Sequence, residues 1–104
     1  MQEQGPMTEA NYYVLLALIK PGHGYQLMAE IAAVSDGRVQ MGPGTLYGIL
    51  TRLHNEGLIA MVADDGRRKT YAVTADGKAA LRAEYERLRR MVADGAMIEE
   101  GEHE

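Results

Sequence analysis

GPGTLYGILTRLHNEGLIAMV, residues 42–62, decides the fold. Pro43 suits the first position of a helix, where its missing N–H costs nothing. Leu46, Ile49, Leu50 and Leu53 then recur at i, i+3, i+4 and i+7, the core stripe of an amphipathic helix, and Gly57 closes it. The opposite face is centred on Gly44, Gly48, Thr51 and Asn55, flanked by Thr45 and Arg52 on one side and Tyr47 and His54 on the other. Leu58–Val62 reads as a short strand, and Thr70–Val73 as its partner. The intervening ADDGRRK contains Asp65-Gly66, a strong hairpin signal.

Upstream, residues 8–20 begin with Thr8 as N-cap and Glu9 in the first turn, and stop at Pro21-Gly22. Between Ala10 and Ile19 only Asn11 is strongly polar, so this helix needs cover on more than one side. Residues 24–35 carry Leu27, Met28, Ile31 and Ala32 on one stripe and end at Asp36-Gly37. Downstream, Thr74 caps a helix running from Ala75 to about Ile98. There Leu81, Tyr85, Leu88, Met91, Val92 and Ile98 recur at three- and four-residue steps. Three helices followed by a hairpin make a winged helix, so the expected class is mainly α, an α+β winged helix-turn-helix with a C-terminal dimerisation helix. The expected divisions are a disordered lead-in at 1–7, the winged helix at 8–74, the dimerisation helix at 75–98 and an acidic disordered tail at 99–104.

The 104 residues suffice for one domain, and a core this small gains from a partner subunit. There is no cysteine, which excludes disulfides, thiolate metal sites and cysteine nucleophiles, and fits a reducing cytoplasm. No run of about 18 apolar residues exists to span a membrane, and MQEQGPMTE has neither a basic nor an apolar signal region. The three histidines lack the company that a metal site requires, His23 reading as a packed or capping residue, and no paired acids or phosphate loop suggest catalysis. The expectation is therefore no enzyme, no metal and no cofactor. The net charge of −4 weighs against nucleic acid. Its distribution does not: residues 1–74 are near balance at −1, residues 75–104 carry −3, and Arg67, Arg68 and Lys69 form a basic cluster.

HGYQLMAEI (23–31), GTLYGILTRLHNEGLI (44–59) and RRKTYAVTADGKAAL (67–81) together resemble the PadR family of bacterial transcriptional regulators, over about residues 10–92. The chain is similar to the short subfamily with a single C-terminal helix. That resemblance implies a homodimer on a palindromic DNA operator, usually as a repressor, with a small aromatic or drug-like effector in some members. The chain departs from the family pattern at Gly42, where Ser or Thr often caps the third helix, and at Gly48, where a larger residue is usual. It also has no tryptophan on which a ligand could stack.

On this reading Thr45, Tyr47, Thr51, Arg52 and Asn55 contact double-stranded DNA from the recognition helix, and Arg67, Arg68 and Lys69 contact it from the wing. Asp64 and Asp65 oppose the phosphates beside them. Tyr12, Leu16, Leu81, Tyr85, Leu88, Met91, Val92 and Ile98 form the dimer interface. Tyr12, Tyr13, Met91 and Met97 are candidates for an effector pocket between subunits, although stripes of Met and Tyr are more often plain core. The rival reading is a winged-helix module that assembles with proteins and binds no DNA.

Overall fold

The computed structural model of the chain describes residues 6–102. Helix α1 (Glu9–Ala17) starts where the Thr8 hydroxyl accepts the Asn11 amide at 3.0 Å. Helix α2 (Gly24–Val34) starts at His23, whose backbone N–H donates to Gln26 Oε1. It ends at Ser35, the only serine, whose buried hydroxyl donates to the Ile31 carbonyl at 2.8 Å and accepts the Val39 amide at 3.0 Å. Helix α3 (Pro43–Asn55) has Pro in its first turn and no side-chain cap from Gly42. Leu46, Ile49, Leu50 and Leu53 are all buried, as their spacing requires. They pack with Val14, Leu15, Leu18, Leu27 and Ile31 into one core.

Strand β1 (Ile59–Asp64) and strand β2 (Lys69–Val73) form an antiparallel hairpin with a register irregularity between Met61 and Ala63. The strands run further than the alternation predicts, so the seven-residue loop shrinks to Asp65–Arg68 and Lys69 joins β2. Gly66 supplies the positive φ of 87° that the turn needs.

Helix α4 (Ala75–Asp94) is capped by Thr74, whose hydroxyl accepts the Gly77 amide at 3.0 Å and donates to the Gly57 carbonyl at 2.7 Å. Only its first half lies against the domain, through Gly77, Leu81 and Glu84. The last helix does not run unbroken to Ile98. At Gly95 the pattern tightens, with the Ile98 amide donating to the Gly95 carbonyl, and a short helix α5 (Ala96–Glu102) follows. Glycine's poor helix propensity accounts for the break. Residues 99–102 are thus helical rather than a disordered tail, and 103–104 lie outside the described residues. At the other end Met7 packs against the core, so ordered chain begins before residue 8, while residues 1–5 again lie outside the description.

Gly77 sits so close to the hairpin that a Cβ there would overlap the Leu58 carbonyl oxygen and approach Val73 Cγ2 to 2.6 Å. A Cβ on Gly48 would meet nothing within 4 Å. Gly48→Ala should therefore raise stability by about 0.5–1 kcal/mol, the ordinary helix preference for alanine. Gly77→Ala should lower stability by about 1–3 kcal/mol despite the same preference. Urea denaturation of the two variants checks the opposite signs.

Candidate nucleic-acid interface

The bare face of α3 follows from its periodicity: once Leu46, Ile49, Leu50 and Leu53 turn inward, Thr45, Tyr47, Gly48, Thr51, Arg52 and Asn55 must turn out, and all six are exposed. Beside that face stands the hairpin. A cleft of about 780 Å³ lies between them, lined by Tyr47 and Thr51 of α3, His23, Gly24 and Tyr25 at the start of α2, and the wing from Asp65 to Lys69. Tyr47, Thr51, Arg67, Arg68 and Lys69 therefore share one cavity. Thr45, Arg52 and Asn55 share the exposed helix face without lining the cleft.

Tyr47 is held in place. Its hydroxyl and ring lie so near Gly24 that a Cβ there would come within 2.9 Å of Cζ. Thr51 turns its hydroxyl back to donate to the Tyr47 carbonyl at 2.9 Å, and its exposed side chain lines the cleft. His54 packs edge-on against Tyr71, with ring centroids 6.1 Å apart.

The two aspartates of the wing have a structural part in the turn. Asp64 Oδ1 accepts the Gly66 amide at 2.9 Å, and Asp65 Oδ1 accepts the amides of Arg67 at 3.0 Å and Arg68 at 2.7 Å. Those amide hydrogen bonds, Arg68 first, hold the Asp65 carboxyl below the usual carboxylate range. Both carboxylates thus build the turn, and Arg67, Arg68 and Lys69 stand exposed beside them.

Tyr25 is the cleft residue that the sequence reading missed. It is 76% exposed and stands outside the Leu27, Met28, Ile31 and Ala32 stripe, which was the available signal.

A second surface is apolar. Tyr12 and Leu16 of α1 and Ile19 just past its end line a shallow groove with Leu81 and Tyr85 of α4, and Met91, Val92, Met97 and Ile98 stand exposed beyond it. Leu81 is 7% exposed, mostly covered by its own core at the floor of that groove. Burial, then the neighbouring Tyr85, Tyr13 and Glu84, push the Tyr12 phenol up, so it stays neutral. Tyr13 points elsewhere, its hydroxyl accepting from Arg38 at 2.8 Å. Tyr12 also lines a second hollow with Tyr85, Leu88, Arg89 and Val92, and Tyr13, Met91 and Met97 line neither within one chain. Among the described residues no group of His, Asp and Glu could hold a metal ion. No described helix is long and apolar enough to cross a membrane.

Residues 14–83 match the transcriptional regulator PadR-like family, and the chain belongs to that family, one of regulators and not of enzymes. It is 37% identical over 85 residues to an uncharacterised 37.1 kDa protein in transposon TN4556 of Streptomyces fradiae. The match takes in 81% of this chain but only 24% of that relative's length. A PadR family regulator from Eggerthella lenta superposes with a TM-score of 0.66 at 32% identity, over 84% of this chain and 77% of that one. The Bacillus subtilis PadR structure, solved in complex with operator DNA, superposes with a TM-score of 0.65 at 25% identity, over 77% of this chain and 48% of that one.

The wing turn carries a pH prediction. A carboxyl held below its ordinary range stabilises the folded turn above the unfolded pKa, and that contribution is lost as pH falls through the folded value. Lowering the pH from 7 to 5 should leave the Arg67 and Arg68 amide resonances where they are, with changes only below about pH 4. Asp65→Ala should speed hydrogen exchange at both amides at neutral pH, which NMR can follow residue by residue.

Proposed function

We propose that the chain is a homodimeric DNA-binding repressor that reads a near-palindromic operator with α3 and grips the flanking phosphates with the wing. The observation that carries this reading is the convergence of the exposed α3 face and three wing cations around one cleft. Arg52 and Asn55 bear the groups that pair with guanine and adenine edges, and the Thr51 methyl suits a thymine methyl. Arg67, Arg68 and Lys69 are point charges for phosphate, which positions the protein without reading sequence. The operator complex of the Bacillus subtilis relative supports the same use of this fold.

Two copies are needed because one domain offers few phosphate contacts on an acidic chain. The uncovered strip of Tyr12, Leu16, Ile19, Tyr85 and Val92 supplies the joint, each fully buried apolar side chain contributing roughly 1.5–3 kcal/mol. A two-fold pairing through α1 and α4 would set the recognition helices about one DNA turn apart, roughly 34–36 Å. A small aromatic or drug-like ligand entering between the subunits beside Tyr12 and Tyr85 would alter that spacing and release the operator. Such a regulator works in the cytoplasm, where its DNA is.

Fluorescence-anisotropy titrations against the promoter upstream of the protein's own gene test the proposal. Arg52→Ala should cost about 1–3 kcal/mol of specific binding and relax base preference at its position. Arg67→Ala should weaken binding to every sequence and lower the slope of log affinity against log salt by about 1. A folded wild-type protein with no salt-sensitive binding to any candidate promoter would return the molecule to the protein-interaction reading.

A further inference from the structure

The apolar strip on α1 and α4 has a border of a single charge. On α4 the groove beside Tyr12, Leu16 and Ile19 is edged by Lys78 and Arg82, and the hollow further along, past Leu88 and Val92, by Arg89. Every charged side chain lining the two hollows is a cation. Arg89 pairs with Glu86, but among the described residues Lys78 and Arg82 have no ionic partner. Helix α5 has the opposite composition. Met97 and Ile98 are 73% and 68% exposed, Glu99 and Glu100 stand beside them, and the helix contains no cation.

These two surfaces cannot meet within one chain. At about 1.5 Å of rise per residue, Asp94 lies roughly 24 Å along α4 from Lys78. Helix α5 starts beyond that point, at the far end of a molecule 61 Å long. In an antiparallel pair of α4 helices they must meet. Lys78, Leu81, Tyr85, Leu88 and Val92 follow one another at three- and four-residue steps along one stripe of α4, and Glu99 lies past the break at Gly95 on α5. A crossing between Leu88 and Arg89 sets Tyr85 opposite the partner's Val92 and carries the partner's α5, which begins just past the end of α4, to the stretch that bears Lys78 and Arg82, at both ends by symmetry.

We propose that α5 of a second copy docks at the cationic end of the α1–α4 groove, with the partner's Ile98 covering its apolar wall and the partner's Glu99 paired with Lys78. This rests on the dimer reading above and adds the segment that closes the interface and sets its register. The acidic C-terminal stretch then has a use, the neutralisation of a cationic rim.

Charge reversal tests it on the intact chain. Dimer dissociation constants are measured by sedimentation equilibrium at about 50 mM salt, where exposed charges are weakly screened. Lys78→Glu and Glu99→Lys should each weaken the dimer about tenfold, since symmetry disrupts two pairs at once. The double variant should return to within about threefold of wild type, a recovery that misfolded singles could not produce. An intact dimer unmoved by either reversal, or a double variant no tighter than the singles, overturns the docking of α5 and leaves the dimer standing. A monomeric wild-type chain overturns both.

Discussion

The wing is useful only if it is rigid with respect to α3, and a few backbone hydrogen bonds make it so. Gly22 and Tyr71 exchange amide and carbonyl at 2.9 Å each way, and the Val73 amide donates to the Leu18 carbonyl at 3.0 Å. The corner between α1 and α2 is thereby attached to the outer edge of β2. Because α1, α2 and α3 share one core, fixing that corner fixes the hairpin against the recognition helix. A two-stranded hairpin alone is marginal in water, so without this edge the cations would have no defined direction. On the hairpin's other side the close seat of Gly77 against Leu58, with Thr74 bonded to the Gly57 carbonyl, fixes the start of α4 as well.

Electrostatics follow from that frame. A chain of net charge −4 is an unpromising DNA ligand by its sum alone. What DNA meets is a local field, and here Asp64 and Asp65 are turned into the wing's own amides while Arg67, Arg68 and Lys69 remain free of ion pairs among the described residues. Helix α5 carries three acids and no cation, and none of these acids lines the cleft. Glu84, buried and held ionised by Arg87, secures α4 in its own chain and adds nothing to the surface.

The apolar strip obeys a different constraint. A domain of this size cannot wrap a twenty-residue helix, and α4 leaves the core after Glu84. Tyr85, Met91 and Val92 are consequently presented with no cover, next to the side of α1 that its own core does not reach. That arrangement is what a self-complementary interface requires.

The order of elements, the buried stripe of α3 and the basic turn were legible in the residues themselves, because periodicity and turn chemistry are local properties. Gly66 in its turn and Thr8 and Thr74 at their caps act within four residues of themselves. Sequence also marked the excess of apolar surface on the first and last helices. It had no means of dividing that surface between core and exterior: Leu81 is nearly covered within its own chain, and burial depends on which helix lies opposite, a long-range fact. The same reason hid Tyr25, which reaches the cleft only because α2 starts beside the wing, and the bond of the Tyr13 hydroxyl with Arg38, 25 residues away in sequence. The bonding of Asp65 was likewise invisible, since its acceptance of two amides depends on how the turn closes, while its charge is unchanged by it. Local chemistry determined the elements; the side on which each polar or apolar group ended was decided only by the packing between them.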